Sequence, residues 1–176
     1  MELSTSITRS QSTAVSKDAT TTVTTRKRIP ASPAKVWTSL LFYEELGILP
    51  PLVLRLLLPV PTGTEGLVSA VGDEVRCNYR TGYLVKRITA LQQDVNYEFE
   101  IIKQSLTLGR GIILSGGRYL LRDCGDGTTE LSVETNFRSS RSPRWFWRIF
   151  ERPTCHAFHN YLLESIGRRI DSQPGD

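Results

Sequence analysis

Apolar residues recur at every second position through most of this chain and at every third or fourth position near its end. Over 143–170 the residues Cys155, Phe158, Leu162, Leu163, Ile166 and Ile170 follow the i, i+3, i+4, i+7 spacing of one helix face. His159 falls inside that stripe, while Asn160, Glu164, Arg168 and Arg169 fall outside it. A long one-sided helix needs a broad apolar surface to cover, and the upstream chain supplies one. Thr and Val content over 21–29 predicts a strand, closed by Pro30, Ser32 and Pro33. Ser32 suits an N-cap and Pro33 a first helical position, with Val36, Trp37, Leu40 and Leu41 along one face of the helix that follows. From Gly72 the period is two: Val75, Cys77 and Tyr79, then a strand from Gly82 to about Leu91, then Tyr97, Phe99 and Ile101. A strand over 112–123 carries Gly116-Gly117 as a bulge, and Gly125-Asp126-Gly127 signals a hairpin. Beyond it Leu131, Val133, Thr135 and Phe137 alternate with Glu130, Ser132, Glu134 and Asn136. Such strands are antiparallel in character, one face apolar against the final helix and one face in water.

Two stretches break the pattern. Residues 1–20 are polar and aperiodic and read as a flexible leader without the apolar core of a secretory signal; 172–176 read as a tail. The expected organisation is therefore a single domain over 21–171. Residues 46–61 are almost wholly apolar but too short and too proline-broken to span a membrane. They read either as a second short helix, buried between turns, or as an apolar flap over a cavity mouth that can touch a membrane surface, with Leu52 and Leu56 among its contact residues.

Composition narrows the class. With 176 residues, 39% hydrophobic and 23% charged, the chain can bury a sizeable core. The formal charge is +4, but Lys and Arg are spread along the sequence, so a solvated basic surface is expected rather than a nucleic-acid partner. Cys77, Cys124 and Cys155 form no CxxC pair, which speaks against a disulfide framework and a zinc site and suits reduced thiols in the cytoplasm. Phosphate-cradling, dinucleotide, nucleophile-elbow and HExxH motifs are absent from the sequence, so no metal and no cofactor is expected.

The chemistry that remains is sparse. His159, on the inward stripe, is the candidate general acid or base, or else a core histidine bonded to a strand group. Arg152 sits at the amino-terminal end of the stripe, where it can clamp a ligand carboxylate or phenolate, or else tie helix to sheet. Tyr79, Tyr83, Tyr97 and Tyr119 offer rings and hydroxyls, to a ligand or to the core. Cys155 lies one turn before His159 with no orienting third group in view. Trp145, Phe146 and Trp147, beside Arg144 and Arg148, can form an aromatic–basic patch that stacks nucleobases or seats at a lipid interface, but are expected rather to cap one end of the interior.

Several motifs resemble one superfamily. They are Ile29-Pro-Ala-Ser-Pro-Ala-Lys-Val-Trp37, Gly82-Tyr-Leu-Val-Lys-Arg-Ile-Thr89, Gly117-Arg-Tyr119, Gly127-Thr-Thr-Glu-Leu131 and His156-Ala-Phe-His-Asn-Tyr-Leu-Leu163 within the final helix. Together they are similar to the SRPBCC superfamily, the START and Bet v 1-like group that includes polyketide cyclases/dehydrases and lipid-transport proteins. The resemblance implies an α+β helix-grip fold: a curved antiparallel sheet wrapped around a long C-terminal helix, two short helices after the first strand, and a cavity between sheet and helix. Members bind lipids, sterols or aromatic polyketides, and some catalyse cyclisation or dehydration. Where several relatives carry an acid on the strand after the glycine, this chain has Lys86.

The expected function is binding or transport of a lipid-like or aromatic small molecule, contacted by Tyr79, Phe99, Tyr119, Cys155, Phe158 and Leu162, with Leu52 and Leu56 from 46–60. One alternative is a cyclase or dehydratase with His159 and Arg152 as its catalytic pair. A third is a protein-interaction module docking through 46–60.

Overall fold

Seven antiparallel strands make one sheet in the order β1-β7-β6-β5-β4-β3-β2. They are β1 (Thr21–Ile29), β2 (Pro61–Glu65), β3 (Glu74–Tyr79), β4 (Gly82–Gln92), β5 (Asn96–Gln104), β6 (Ile112–Asp123) and β7 (Thr129–Ser139). Helix α1 (Pro33–Leu41) follows β1, and α2 (Arg144–Ser172) ends the fold. This computed structural model describes residues 20–41, 61–66, 68–106, 108 and 111–172. The expected leader, the second short helix or flap over 46–60, Leu52, Leu56 and the last four residues lie outside them.

The strands form where alternation placed them. Val23, Val75, Cys77, Leu84, Ile88, Leu131 and Val133 are buried on the inner face, each at 4% exposure or less. The outer face carries ion pairs instead: Arg87 joins Glu74 and Glu100, and Arg118 joins Glu98 and Glu134. Alternating faces of this kind let one side of an antiparallel sheet meet water. Meander connections link β2 to β7, while β1 pairs with β7 in continuous register from Thr21–Phe137 to Ile29–Thr129. Register shifts in β4/β5 and at Ser115 in β6/β7 mark bulges, which bend the strands and curve the sheet. The β6–β7 turn sets Gly125 and Gly127 at φ +78°, a conformation that costs a glycine little. There Asp126 accepts the Thr128 amide and hydroxyl and pairs with Arg28 at 2.6 Å, and the Thr128 hydroxyl first, then Arg28, hold its carboxyl below the usual range.

Two elements depart from expectation. Strand β2 occupies the end of the apolar run, where Pro61, Gly63 and Glu65 carry no strand signal. It is an edge strand against β3, the place where proline and glycine are tolerated. Helix α2 runs unbroken through Pro153. The missing N–H there would have bonded the carbonyl of Ile149, and both residues are exposed, so water can satisfy it.

Candidate functional site

Helix α2 lies against β1, β7 and α1. Its inward residues are Glu151, His159, Leu162, Leu163, Ser165 and Ile166. Leu163 and Ile166, both fully buried, anchor the seam with Ile29, Val36 and Leu131. Cys155 and Phe158, expected on the same stripe, are half-buried at its margin.

His159 is fully buried and both ring nitrogens are taken. Nδ1 is 2.9 Å from Thr25 Oγ1 on β1, and Nε2 is 2.8 Å from Thr135 Oγ1 on β7. Thr25 Oγ1 also lies 2.8 Å from Nδ1 of exposed His156, so its hydroxyl donates to one ring and accepts from the other. Desolvation first, and the neighbouring His156 second, push the His159 pKa down to about 4. The imidazole is thus neutral at pH 7 and pins the helix to two strands. This is the strand-bonded core histidine of the two sequence readings, and neither nitrogen is turned toward open space. Cys155 Sγ stands 3.6 Å from Nε2, but burial raises the thiol to about 11, which leaves it protonated and a poor nucleophile.

The Arg152 side of the helix is exposed, so it does not line the interior. The inward group at that level is Glu151, one residue earlier, whose side chain is 2% exposed. Its carboxylate accepts the Ser139 hydroxyl at 2.6 Å and pairs with Arg144 at 3.0 Å, and Arg144 also donates to Thr21 at 3.3 Å. This is the helix-to-sheet tie that the sequence reading offered for Arg152, made by its neighbours. Trp145 and Phe146 do not cap the interior either; they are 70% and 40% exposed.

Beyond the helix seam, the inner face of β3–β6 carries the other candidate residues. Tyr119 is buried and stacked on Tyr97, with ring centroids 5.7 Å apart and 6° between planes, as part of the core. Phe99 completes that trio at 5.6 Å from Tyr97. Tyr79, Phe99, Ile101 and Leu114 face inward but remain partly accessible. Phe99 lies over Gly117, where an added Cβ would come within 2.9 Å of its ring and 2.5 Å of the Glu134 carbonyl. Gly117→Ala is therefore expected to destabilise the fold by about 2 kcal/mol through overpacking, read as a lower urea midpoint at unchanged slope.

Sequence reasoning noted one group among these only as a departure from relatives and not as an inward side chain. Lys86 is 5% exposed, opposite Val75 and Ile101, with its ammonium 5.1 Å from the Phe99 ring centroid. The signal was present in the alternation Leu84-Lys86-Ile88, which puts a cation on the apolar face of β4. A depression of about 340 Å³ lies between Thr89, Glu98, Gly116, Arg118, Glu134 and Asn136, with Phe99 and Gly117 also at its lining. Arg118 bonds Glu134 at 2.9 Å across it, so these two charges at its lining are already paired.

Among the described residues no group of three His, Cys, Asp or Glu side chains could hold a metal, and no helix is long and apolar enough to cross a membrane. A seven-stranded curved sheet with a long helix gripped against its first and last strands is also what solved structures show. Norcoclaurine synthase from Thalictrum flavum, in complex with dopamine and hydroxybenzaldehyde, matches 98% of this chain and 100% of its own at TM-score 0.61 and 12% identity. The fold is START/Bet v 1-like. Other structures with this helix-grip fold are the Zhui aromatase/cyclase from Streptomyces sp. R1128 and a START superfamily protein from Mycobacterium smegmatis. The first matches at TM-score 0.59 and 14% identity over 90% of this chain and 100% of its own. The second matches at 0.59 and 11% over 85% and 97%. No family model and no curated protein matches the sequence. At these identities the helix-grip likeness carries the fold and leaves the chemistry to the residues.

Proposed function

We propose that this protein binds a hydrophobic small molecule, lipid-like or aromatic, between the inner face of the sheet and the final helix. The observation that carries this reading is a partly accessible apolar wall, formed by Tyr79, Phe99, Ile101 and Leu114, with the buried Lys86 on the same face beside Phe99 and Ile101. Helix α2 packs on β1 and β7, toward the opposite edge of the same sheet from β3 and β4. An ammonium on the same face as an apolar wall adds a charged contact to an otherwise apolar surface, so a ligand with one acidic group on an apolar body is the class to test. Solved proteins of the same fold include one holding dopamine and hydroxybenzaldehyde and an aromatase/cyclase, which supports aromatic ligands as a class to test.

The cyclase or dehydratase alternative needs a proton carrier at the ligand. His159, with both nitrogens bonded to threonines and its pKa near 4, is poorly placed and weakly basic for that work. Carriage of the ligand is the reading this geometry favours.

The test is a thermal-shift panel of fatty acids, aromatic acids and the matching alcohols. Acids should raise Tm more than their alcohols, and Lys86→Met should weaken acid binding by about tenfold while leaving alcohol binding unchanged. If neither acids nor alcohols shift Tm at saturating concentration, the reading fails. If acids bind Lys86→Met as tightly as wild type, the lysine has no part in recognition.

A further inference from the structure

The first two turns of α2 expose an apolar surface that the interior does not use. Trp145, Phe146, Ile149 and Phe150 are 70%, 40%, 59% and 53% exposed. At roughly 100° per residue they sweep one continuous arc of about 140°, opposite the buried Glu151. Their rings hold one another: Phe146 meets Trp145, Trp147 and Phe150 edge to face, with centroids 5.3 to 6.0 Å apart. Arginines border the arc on both sides. Arg148 and Arg152, one turn apart and both exposed, follow it on the helix. Arg141 stacks 4.6 Å over the ring of Trp147 at the other edge. From Arg138 to Arg152 there are five arginines and one acid, and that acid, Glu151, is buried against Arg144.

We propose that this face docks on an anionic lipid surface, with the four apolar side chains entering the interface and the arginines meeting the head groups. A cationic rim around exposed Trp and Phe on a helix is the composition that seats at such an interface. Charge decides against a second copy, and the shape of the apolar arc decides against a single-stranded nucleic acid. A second copy would bring arginine against arginine with no carboxylate to answer them. A single-stranded nucleic acid stacks successive bases on ring faces, whereas this arc includes aliphatic Ile149 and rings set at 63° to 84° to one another, which form no common stacking platform. Docking of this kind stands independently of what the interior holds, although it would bring a lipid-binding protein to its source.

The experiment is flotation of the full chain with phosphatidylcholine vesicles, with and without phosphatidylserine, at low and high salt. Wild type should float with the anionic vesicles, bind neutral ones at least about tenfold more weakly, and lose binding as salt rises. Trp145→Ser/Phe150→Ser and Arg148→Glu/Arg152→Glu alter exposed side chains, so circular dichroism should be unchanged. Each should lower the anionic-vesicle partition by about tenfold or more. Equal binding to neutral vesicles, or variants that float as well as wild type, would overturn the proposal; the latter would place any contact elsewhere, 46–60 included. So would a wild type that stays unbound and instead dimerises, captures an acidic protein or binds an oligonucleotide through these residues. Ligand-induced Tm shifts measured on the same variants separate failure of docking from failure of interior binding.

Discussion

Replacing Arg144 by alanine should cost this protein about 3 kcal/mol of stability, the largest single loss expected from a residue one-third exposed. The reason is what it leaves behind. Glu151 is buried and would keep one hydrogen bond, from Ser139, in place of a charged partner and that bond together. An ionised carboxylate without its counter-charge in such a setting is far more costly than the intact pair is favourable. The same residues join three elements, because Arg144 reaches Thr21 on β1 and Glu151 reaches Ser139 at the end of β7. A urea melt of Arg144→Ala should show the loss directly, and Arg144→Met/Glu151→Leu should recover most of it by removing both charges. A single variant within about 1 kcal/mol of wild type would mean that the pair behaves as a surface ion pair.

The second large effect is acid sensitivity centred on His159. Its pKa falls from 6.5 to about 4 on folding, so the unfolded chain takes up a proton at a pH where the native one does not. Stability from this group is therefore complete above pH 6.5 and is lost as pH falls toward 4. Between pH 7.5 and 4.5 the loss should be about 2.5 kcal/mol. The carboxyls of Asp73 and Asp126, held below 3.8 chiefly by the Ser69 and Thr128 hydroxyls, release their contributions at lower pH and stay out of this window. Unfolding free energies at the two pH values, for wild type and His159→Gln, check the assignment. The glutamine variant should be less stable at pH 7.5 and distinctly flatter across the interval. An equally steep acid limb in the variant would transfer the effect to another group.

The Arg144–Glu151 pair lies within one helix and is tied to Thr21 and Ser139, whereas the His159 contacts close over long stretches of chain. This divides what could be read early from what could not. Alternation every second residue, the Gly125-Asp126-Gly127 turn and the Ser32-Pro33 helix start are local signals, because pleat, turn and cap are set by neighbouring residues. They located β1, β3 to β7 and α1 closely. The helical period beyond Pro153 likewise placed Leu162, Leu163 and Ile166 in the core. Before Pro153 the apolar arc of the helix points to water rather than to the core, so periodicity there names the wrong face. Hence Arg152 was read as inward when Glu151 is, and Trp145 as a cap when it faces water.

Strand pattern alone pointed to an antiparallel sheet covered by a final helix, since each face announces itself in consecutive residues; the curvature was what the family resemblance implied. The partners of His159 were a different matter. Thr25 and Thr135 are 134 and 24 residues from it in sequence and meet it only because β1 and β7 pair in one register beneath α2. Lys86 sits midway: its face is legible from Leu84 and Ile88, but its place against Phe99 depends on the bulged register of β4 on β5. Periodicity reports which way a side chain points, whereas what it then touches is set by how distant strands align, and that is a property of the folded sheet.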